Sequence, residues 1–283
     1  MSPERDLALS VVILTFNEER HLPACLASVA RCRDVVVLDS GSTDRTVEVA
    51  QAAGARVVVH PFRDFAAQRN FALESIPFAH PFVFHLDADE AFTPELLAEC
   101  AALPTGPGLD GYYAAPRMMF DGAWLRRSTD FPAWQARYVR TATFRFVQVG
   151  HGQREAPGLR LGHLKASYLH DISVADPSAW EKKHRRYAAE EAAQFLADQR
   201  AGGARWAALW SGPPLARRRA LKHLSYRLPA RPLLRFLYQY FWRRGFLDGP
   251  PARRYCALLA RYEGFTVEEI RRQRAALRTP PAP

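Results

Sequence analysis

Through the first hundred residues, short unbroken runs of apolar, often β-branched residues alternate with stretches whose apolar positions recur every three or four residues. LSVVIL (9–14), DVVVLD (34–39), ARVVVH (55–60) and PFVFHL (81–86) have strand length and no polar alternation, which predicts strands covered on both faces. Between them, Leu22, Cys25, Leu26 and Val29 keep helical spacing in TFNEERHLPACLASVA. STDRTVEVAQAAG carries Ser, Thr and Asp at its start and Gly54 at its end, and DFAAQRNFALES reads as a third helix. The alternation predicts an α/β domain, Rossmann-like, with a mostly parallel sheet and helices on both faces. From EKKHRRYAAEEAAQFLADQR (181–200) onward the pattern turns helical. The expected division is a domain over 1–175 and a helical region over 176–283.

Composition narrows this in three ways. With 283 residues and 48% hydrophobic content the chain can bury a sizeable core. The cysteines at 25, 32, 100 and 256 form neither CxxC pairs nor a small secreted framework, and read as reduced core residues of a cytoplasmic protein. The apolar run at the N-terminus lacks a small-residue cleavage site and leads into a turn, so it reads as a strand rather than a signal peptide, and no run of 18 apolar residues is present. The net charge of +10 is local: residues 181–245 hold 15 Lys and Arg against 4 acids. The Pro-rich end RTPPAP reads as frayed.

In a sheet of this kind the ligand crevice lies beyond the carboxyl ends of the strands. The residues there are Thr15, Asn17 and Glu18, then Asp39, Ser40, Gly41 and Ser42, then Asp87, Ala88, Asp89 and Glu90. Neither GxGxxG nor GxxxxGK[ST] follows any strand, so a bound phosphate is not held mainly by a Gly-rich loop. A divalent cation, Mg²⁺ or Mn²⁺, bound through one or two carboxylates is the alternative, and Asp-Ala-Asp at a strand end supplies them. An acid-x-acid triplet is common, with roughly three expected by chance in this composition; its place at the strand end is the informative part. Thr93 and Pro94 already cap and start the following helix, which leaves the earlier acids unexplained by capping.

SVVILTFNEERHLPACLASV, VVVLDSGSTDRTVEVA, AAQRNFAL and VFHLDADE together resemble the nucleotide-sugar-binding half of family 2 glycosyltransferases, which have the GT-A fold. DGAWLRRSTDFPAWQARYVR, VGHGQREA, His170 and RRGFLDG resemble the lipopolysaccharide-core β-1,4-glucosyltransferase subgroup. The resemblance implies an inverting transfer of a hexose from a UDP-sugar to a hydroxyl of a cell-envelope glycan or glycolipid. Under it, Thr15, Asn17 and Glu18 contact the nucleoside, Asp39 accepts from the uracil N–H, and Ser40 to Ser42 let backbone approach the ribose. Arg69 pairs with the diphosphate or donor sugar. Asp89 is the principal metal ligand, and Asp87 reaches the ribose or the metal through water.

Glu155 is the candidate base, with Asp121 and Asp130 in reserve; its bland alternative is a surface Glu paired with Arg154. His170 is read as a metal ligand, a phosphate contact or a structural histidine, with the same choice open for His151. Trp124 and Trp134 stack on sugars or anchor core, and Arg137 binds phosphate.

Within the basic region, PLLRFLYQYFWRRGFL (232–247) mixes aromatic, aliphatic and Arg residues. It reads as an interfacial helix on an anionic membrane, or as a helix packed on the catalytic domain with a solvated Arg face. The membrane reading places the protein peripherally on the cytoplasmic face of the inner membrane. Nucleic acid would suit the arginines but leaves the DADE edge without a purpose, so no nucleic-acid partner is expected. A polyprenyl-phosphate glycosyltransferase and a nucleotidyltransferase are the neighbouring enzyme readings.

Overall fold

The structure, a computed structural model, describes residues 7–103, 108–149, 152–200, 210, 214–226, 228 and 230–277. His151 and the Pro-rich end lie outside the described residues. Contacts divide the chain into two compact units. One holds residues 1–119 and 130–172, the other 120–129 and 173–283. The division expected after residue 175 therefore falls at 172, and a ten-residue excursion joins the C-terminal helices.

In the first unit the strands are β1 (Leu7–Thr15), β2 (Cys32–Asp39), β3 (Arg56–Val59), β4 (Phe82–Asp87), β5 (Glu90–Ala91), β6 (Gly111–Ala114) and β7 (Pro116–Phe120). After β8 (Ala123–Trp124), which belongs to the other unit, come β9 (Gln135–Arg140), β10 (Phe146–Val149), β11 (Gly152–Glu155), β12 (Leu161–His163) and β13 (Tyr168–Asp171). The helices are α1 (Leu22–Ser28), α2 (Thr46–Ala52), α3 (Phe65–Ser75) and α4 (Pro94–Ala102).

Seven strands form one sheet in the order β12-β6-β9-β4-β1-β2-β3. All pairings are parallel except those of β9, which runs against β4 and β6. β5 and β7 flank β13 in a smaller sheet, and β10 and β11 form a hairpin.

Three of the four predicted strands, β1, β2 and β4, are buried on both faces because two cores sandwich them; β3, at the sheet edge, is only half-buried, with Val59 62% exposed. Leu9, Val11, Ile13, Val35, Val37, Phe84 and Leu86 meet α1 and α4 through Leu22, Cys25, Leu26, Leu96 and Leu97. The alternate positions Val12, Leu14, Val36, Leu38 and Val83 meet α3 and the hairpin through Ala66, Ala72, Leu73 and Phe146. Period-two strand geometry under helices on each face leaves no polar side. The four cysteines are free and buried, as expected.

Helix ends follow local chemistry. The Asp64 carboxylate accepts from Ala67 N–H, and Thr93 Oγ1 accepts from Leu96 N–H ahead of Pro94. Two helices start later than their sequence pattern predicts. Asn17 takes a left-handed φ of 56° and α1 begins only at Leu22, while Ser42, Thr43 and Asp44 precede α2 as a loop. Their side chains are used across the site instead.

The second unit contains α5 (Pro177–Arg200), α6 (Pro214–Ser225), α7 (Arg231–Leu237) with a π turn over Tyr238–Trp242, a 3₁₀ turn over Gly245–Asp248, and α8 (Pro250–Ala276). α5 and α8 pack through Ala192, Phe195, Leu196 and Ile270. The excursion is tied in by Arg127 and Ser128 N–H groups donating to Asp248 (2.8 and 2.7 Å), Gln239 donating to Ser128 C=O and Arg243 donating to Thr129 C=O. The helix expected over 232–247 is broken at Arg244 (φ 59°). At Gly245 a Cβ would stand 2.7 Å from both Gln239 O and Ser128 Oγ, so only glycine fits this approach.

Candidate active site

Register lines up three strand ends. Thr15 pairs with Asp39 and Leu14 with Asp87, so β2, β1 and β4 deliver their last residues to one edge. Two loops above it are stitched together. Asn17 N–H donates to Ser42 Oγ (2.9 Å), Thr43 N–H to Asn17 Oδ1 (2.8 Å), Glu18 N–H to Thr46 Oγ1 (2.8 Å) and Arg45 N–H to Glu19 Oε2 (3.1 Å).

Asp39 pins the second loop. It is 1% exposed, and its oxygens accept from Thr15 Oγ1, Ser42 Oγ and the N–H groups of Gly41 and Ser42. A uracil N–H would therefore compete with four donors already in place. Gly41 has φ 90° and nothing within 4 Å of where a Cβ would sit, so the loop backbone is open on that side.

At the end of β4 four charges interlock. Arg69 donates to Asp87 Oδ1 (2.7 Å), and Arg137 to Asp87 Oδ2 (3.3 Å) and Glu90 Oε1 (2.7 Å). Glu90 accepts in addition from Asp87 N–H (2.8 Å). Burial would raise the Asp87 carboxyl, but Arg69 and Arg137 hold it down at about 2. Burial pushes Glu90 up to about 7, Arg137 opposing and the Asp87 charge adding.

Arg69, expected at the diphosphate, has a side chain only 2% exposed and holds Asp87 from beneath. Arg137, expected at a phosphate, is equally buried, lying over the Tyr168 ring at 5.0 Å. His85, whose C=O accepts from Arg137 at 3.1 Å, has no partner on either ring nitrogen among the described residues. Burial first, then the neighbouring guanidiniums, lowers its pKa well below the usual value, so it is neutral.

Ala88 and Asp89 make the turn from β4 to β5. Asp89 C=O accepts from Asp171 N–H (3.1 Å), and its carboxylate lies 3.3 Å from His170 Nε2, whose Nδ1 is 3.7 Å from Glu90. Burial would lower the His170 pKa; the Asp89 and Glu90 carboxylates overcome it and raise it. Among the described residues no three His, Cys, Asp or Glu side chains converge on one point. Asp89 and His170 are thus the two side chains at this turn that a cation could meet.

Glu155 ends β11 and faces β6: Tyr113 Oη donates to Glu155 Oε1 at 2.7 Å. Burial and that carboxylate push the Tyr113 hydroxyl up to about 12. Tyr113 stands one residue before the carboxyl end of β6, which runs parallel to β4 across β9, so Glu155 is on the same edge as Asp87. Trp134 is 40% exposed and packs edge-on against His163. Asp130 is exposed. Asp121 and Trp124 fall in the other unit, where Asp121 pairs with Arg254 and the Arg126 guanidinium lies over the Trp124 ring.

Sequence reading missed the structural roles of Glu90, Tyr113, His85 and Asn70, the last exchanging two bonds with the Phe146 backbone. Only Glu90 carried a signal, as the third acid of the cluster.

A sequence profile described as glycosyl transferase family 2 matches residues 10–160, more than half of the chain. The chain belongs to glycosyl transferase family 2. The family 2 interval takes in the three strand ends and Glu155, while His170 lies beyond it. Over 104 residues this family 2 chain is 41% identical to the lipopolysaccharide core biosynthesis glycosyltransferase LpsC of Rhizobium meliloti (strain 1021), covering 32% of this chain and 38% of that protein. An uncharacterized glycosyltransferase of Rickettsia typhi (strain ATCC VR-144 / Wilmington) is 36% identical over 107 residues, covering 38% of this chain and 36% of the relative. The chain thus spans less than two fifths of the length of these curated relatives.

Among solved structures, S. aureus TarS 1–349 overlays 91% of this chain and 92% of its own at 16% identity, TM-score 0.41. Glucosyl-3-phosphoglycerate synthase from Mycobacterium tuberculosis, in complex with Mn²⁺, UDP and phosphoglyceric acid, overlays 48% of this chain and 56% of its own at 22% identity, TM-score 0.34.

Proposed function

We propose that this family 2 chain is an inverting glycosyltransferase, assisted by a divalent cation, that moves a hexose from a UDP-sugar to a hydroxyl of a cell-envelope glycan or glycolipid of the lipopolysaccharide-core kind. The observation that carries the reading is the row of Asp39, Thr15 and Asp87 at one sheet edge, closed by the Asp89–His170 pair. The nucleoside sits on the stitched loops, against Thr15, Asn17 and Glu18 on one side and Ser40 to Ser42 on the other, where Gly41 leaves the backbone open to the ribose. Asp39 shapes that seat.

Asp89 and His170 would hold Mg²⁺ or Mn²⁺, the Asp89 carboxylate being the ligand type that suits both ions. When bound, that ion supplies positive charge against the diphosphate of the departing nucleotide. Arg69 and Arg137 balance the charges of Asp87 and Glu90, so the edge does not repel a diphosphate. Tyr113 orients Glu155, which takes the proton of the acceptor hydroxyl. The hydroxyl oxygen bonds to the anomeric carbon, the bond from that carbon to the diphosphate oxygen breaks with its electron pair going to UDP, and the configuration inverts.

The test is thermal unfolding with UDP and Mn²⁺ added singly and together. The joint addition should raise the melting temperature most, and Asp89→Ala should abolish the extra rise. A chain indifferent to UDP, with or without Mn²⁺, would remove the donor assignment.

A further inference from the structure

The segment from α7 through its π turn wears its polarity inside out. Leu233, Leu234, Leu237, Tyr238, Phe241 and Trp242 repeat at i, i+1, i+4, i+5, i+8 and i+9, one face of a helix, and all are at least 40% exposed, Trp242 reaching 81%. The buried positions are polar. Arg231 pairs with Glu263 of α8 at 2.6 Å and lies over the Tyr226 ring, and Gln239 donates to Ser128 C=O. The π turn, closed by Arg243 N–H on Tyr238 C=O at 2.9 Å, carries three of the aromatic residues, and π turns recur at functional places. Past the break at Arg244, Phe246 and Leu247 are exposed as well.

A water-facing helix normally buries this stripe, and a contiguous apolar patch of such size marks a surface that something covers. Charge selects the occupant. The unit carrying the patch holds 24 Lys and Arg against 10 Asp and Glu, net +14, whereas the sheet unit holds 15 against 19, net −4. Two copies meeting through the patch would bring like charges together. An anionic bilayer offers apolar depth for the Leu and aromatic side chains and negative headgroups for the surrounding cations.

We propose that this face docks on an anionic membrane surface, lying in the headgroup plane; no helix among the described residues is long and apolar enough to cross. The inference stands apart from the glycosyl-transfer reading, since none of its residues belongs to the site.

Full-length protein is sedimented with vesicles of phosphatidylglycerol and phosphatidylethanolamine, and with phosphatidylcholine vesicles as the neutral arm. Binding should be confined to the anionic vesicles and weaken with salt, with tryptophan emission moving to shorter wavelength in the wild type and in a Phe241→Ser variant, but not once Trp242 is replaced. The Phe241→Ser/Trp242→Ser variant should bind at least about tenfold more weakly while keeping its thermal response to UDP and Mn²⁺. Arg244→Glu, which leaves the apolar face intact, should weaken binding to anionic vesicles alone. No vesicle binding, or binding unchanged in the double serine variant, overturns the proposal. So does a dimer that this variant converts to monomer, which gives the face to a second copy, or single-stranded DNA binding lost in the same variant, which gives it to nucleic acid.

Discussion

Replacing Arg137 by Met tests whether the buried charge network holds the site. The substitution removes a cation 2.7 Å from Glu90, a carboxylate with 0% side-chain exposure, and keeps most of the side-chain volume. Glu90 retains the Asp87 N–H at 2.8 Å and His170 at 3.7 Å; Asp87 retains Arg69 at 2.7 Å. With charge centres about 4 Å apart and an effective dielectric constant near 20, the attraction lost by an ionised Glu90 is about 4 kcal/mol. Glu90, which burial already pushes up to about 7 beside Arg137, escapes most of it by taking a proton, which at pH 8 limits the loss to about 1.4 kcal/mol. Glu90→Gln mimics that neutral state, so adding it to Arg137→Met should cost little more. The coupling expected is about 1–1.5 kcal/mol. Urea unfolding of the wild type, both single variants and the double variant at pH 8, in protein freed of divalent cations, reads it directly. That pH lies above the value of about 7 to which burial pushes Glu90. Additivity to within about 0.5 kcal/mol would refute the pair.

Three further outcomes follow from other parts of the molecule. Burial would raise the Asp34 carboxyl, but Ala79 N–H, Ser10 hydroxyl and Arg56 hold it below its usual value. Its stabilising share is therefore present above the unfolded value near 3.8 and lost as pH falls through the lower folded one, and Asp34→Asn should flatten the acid side of a melting-temperature profile. Glu155→Gln should keep UDP binding but lose transfer by about 10²- to 10⁴-fold, the span of general base catalysis, with Tyr113→Phe falling between it and wild type in a UDP-release assay. Gly245→Ala sets a methyl group against backbone and should cost about 1–3 kcal/mol in chemical unfolding.

The fold was legible where neighbours in sequence decide it. Buried strands betray themselves as unbroken apolar runs, and Asp64, Thr93 and Gly54 punctuate helices by chemistry that acts within a few residues. The site was legible as a place, because strand ends collect at one edge. Its inner wiring was not. Arg137 is 47 residues from Glu90 and Glu155 is 42 from Tyr113, and nothing local announces either partnership. Arg69 looks the same in sequence whether it faces a ligand or supports a carboxylate; only burial separates the two. The helix over 232–247 was expected whole, and the close approach at Gly245 that ends it depends on Ser128, far upstream.

That long-range dependence sets a timetable during synthesis. Ser128 leaves the ribosome 120 residues ahead of Asp248, its anchor. At the usual 5–20 residues per second it waits about 6–24 s for that anchor. Until then Arg127, Ser128 and Thr129 lack the partners on residues 239–248 that hold them. Cutting the gene after codon 172 would leave those three permanently without them, so a sheet unit made alone calls for a short linker in place of that segment.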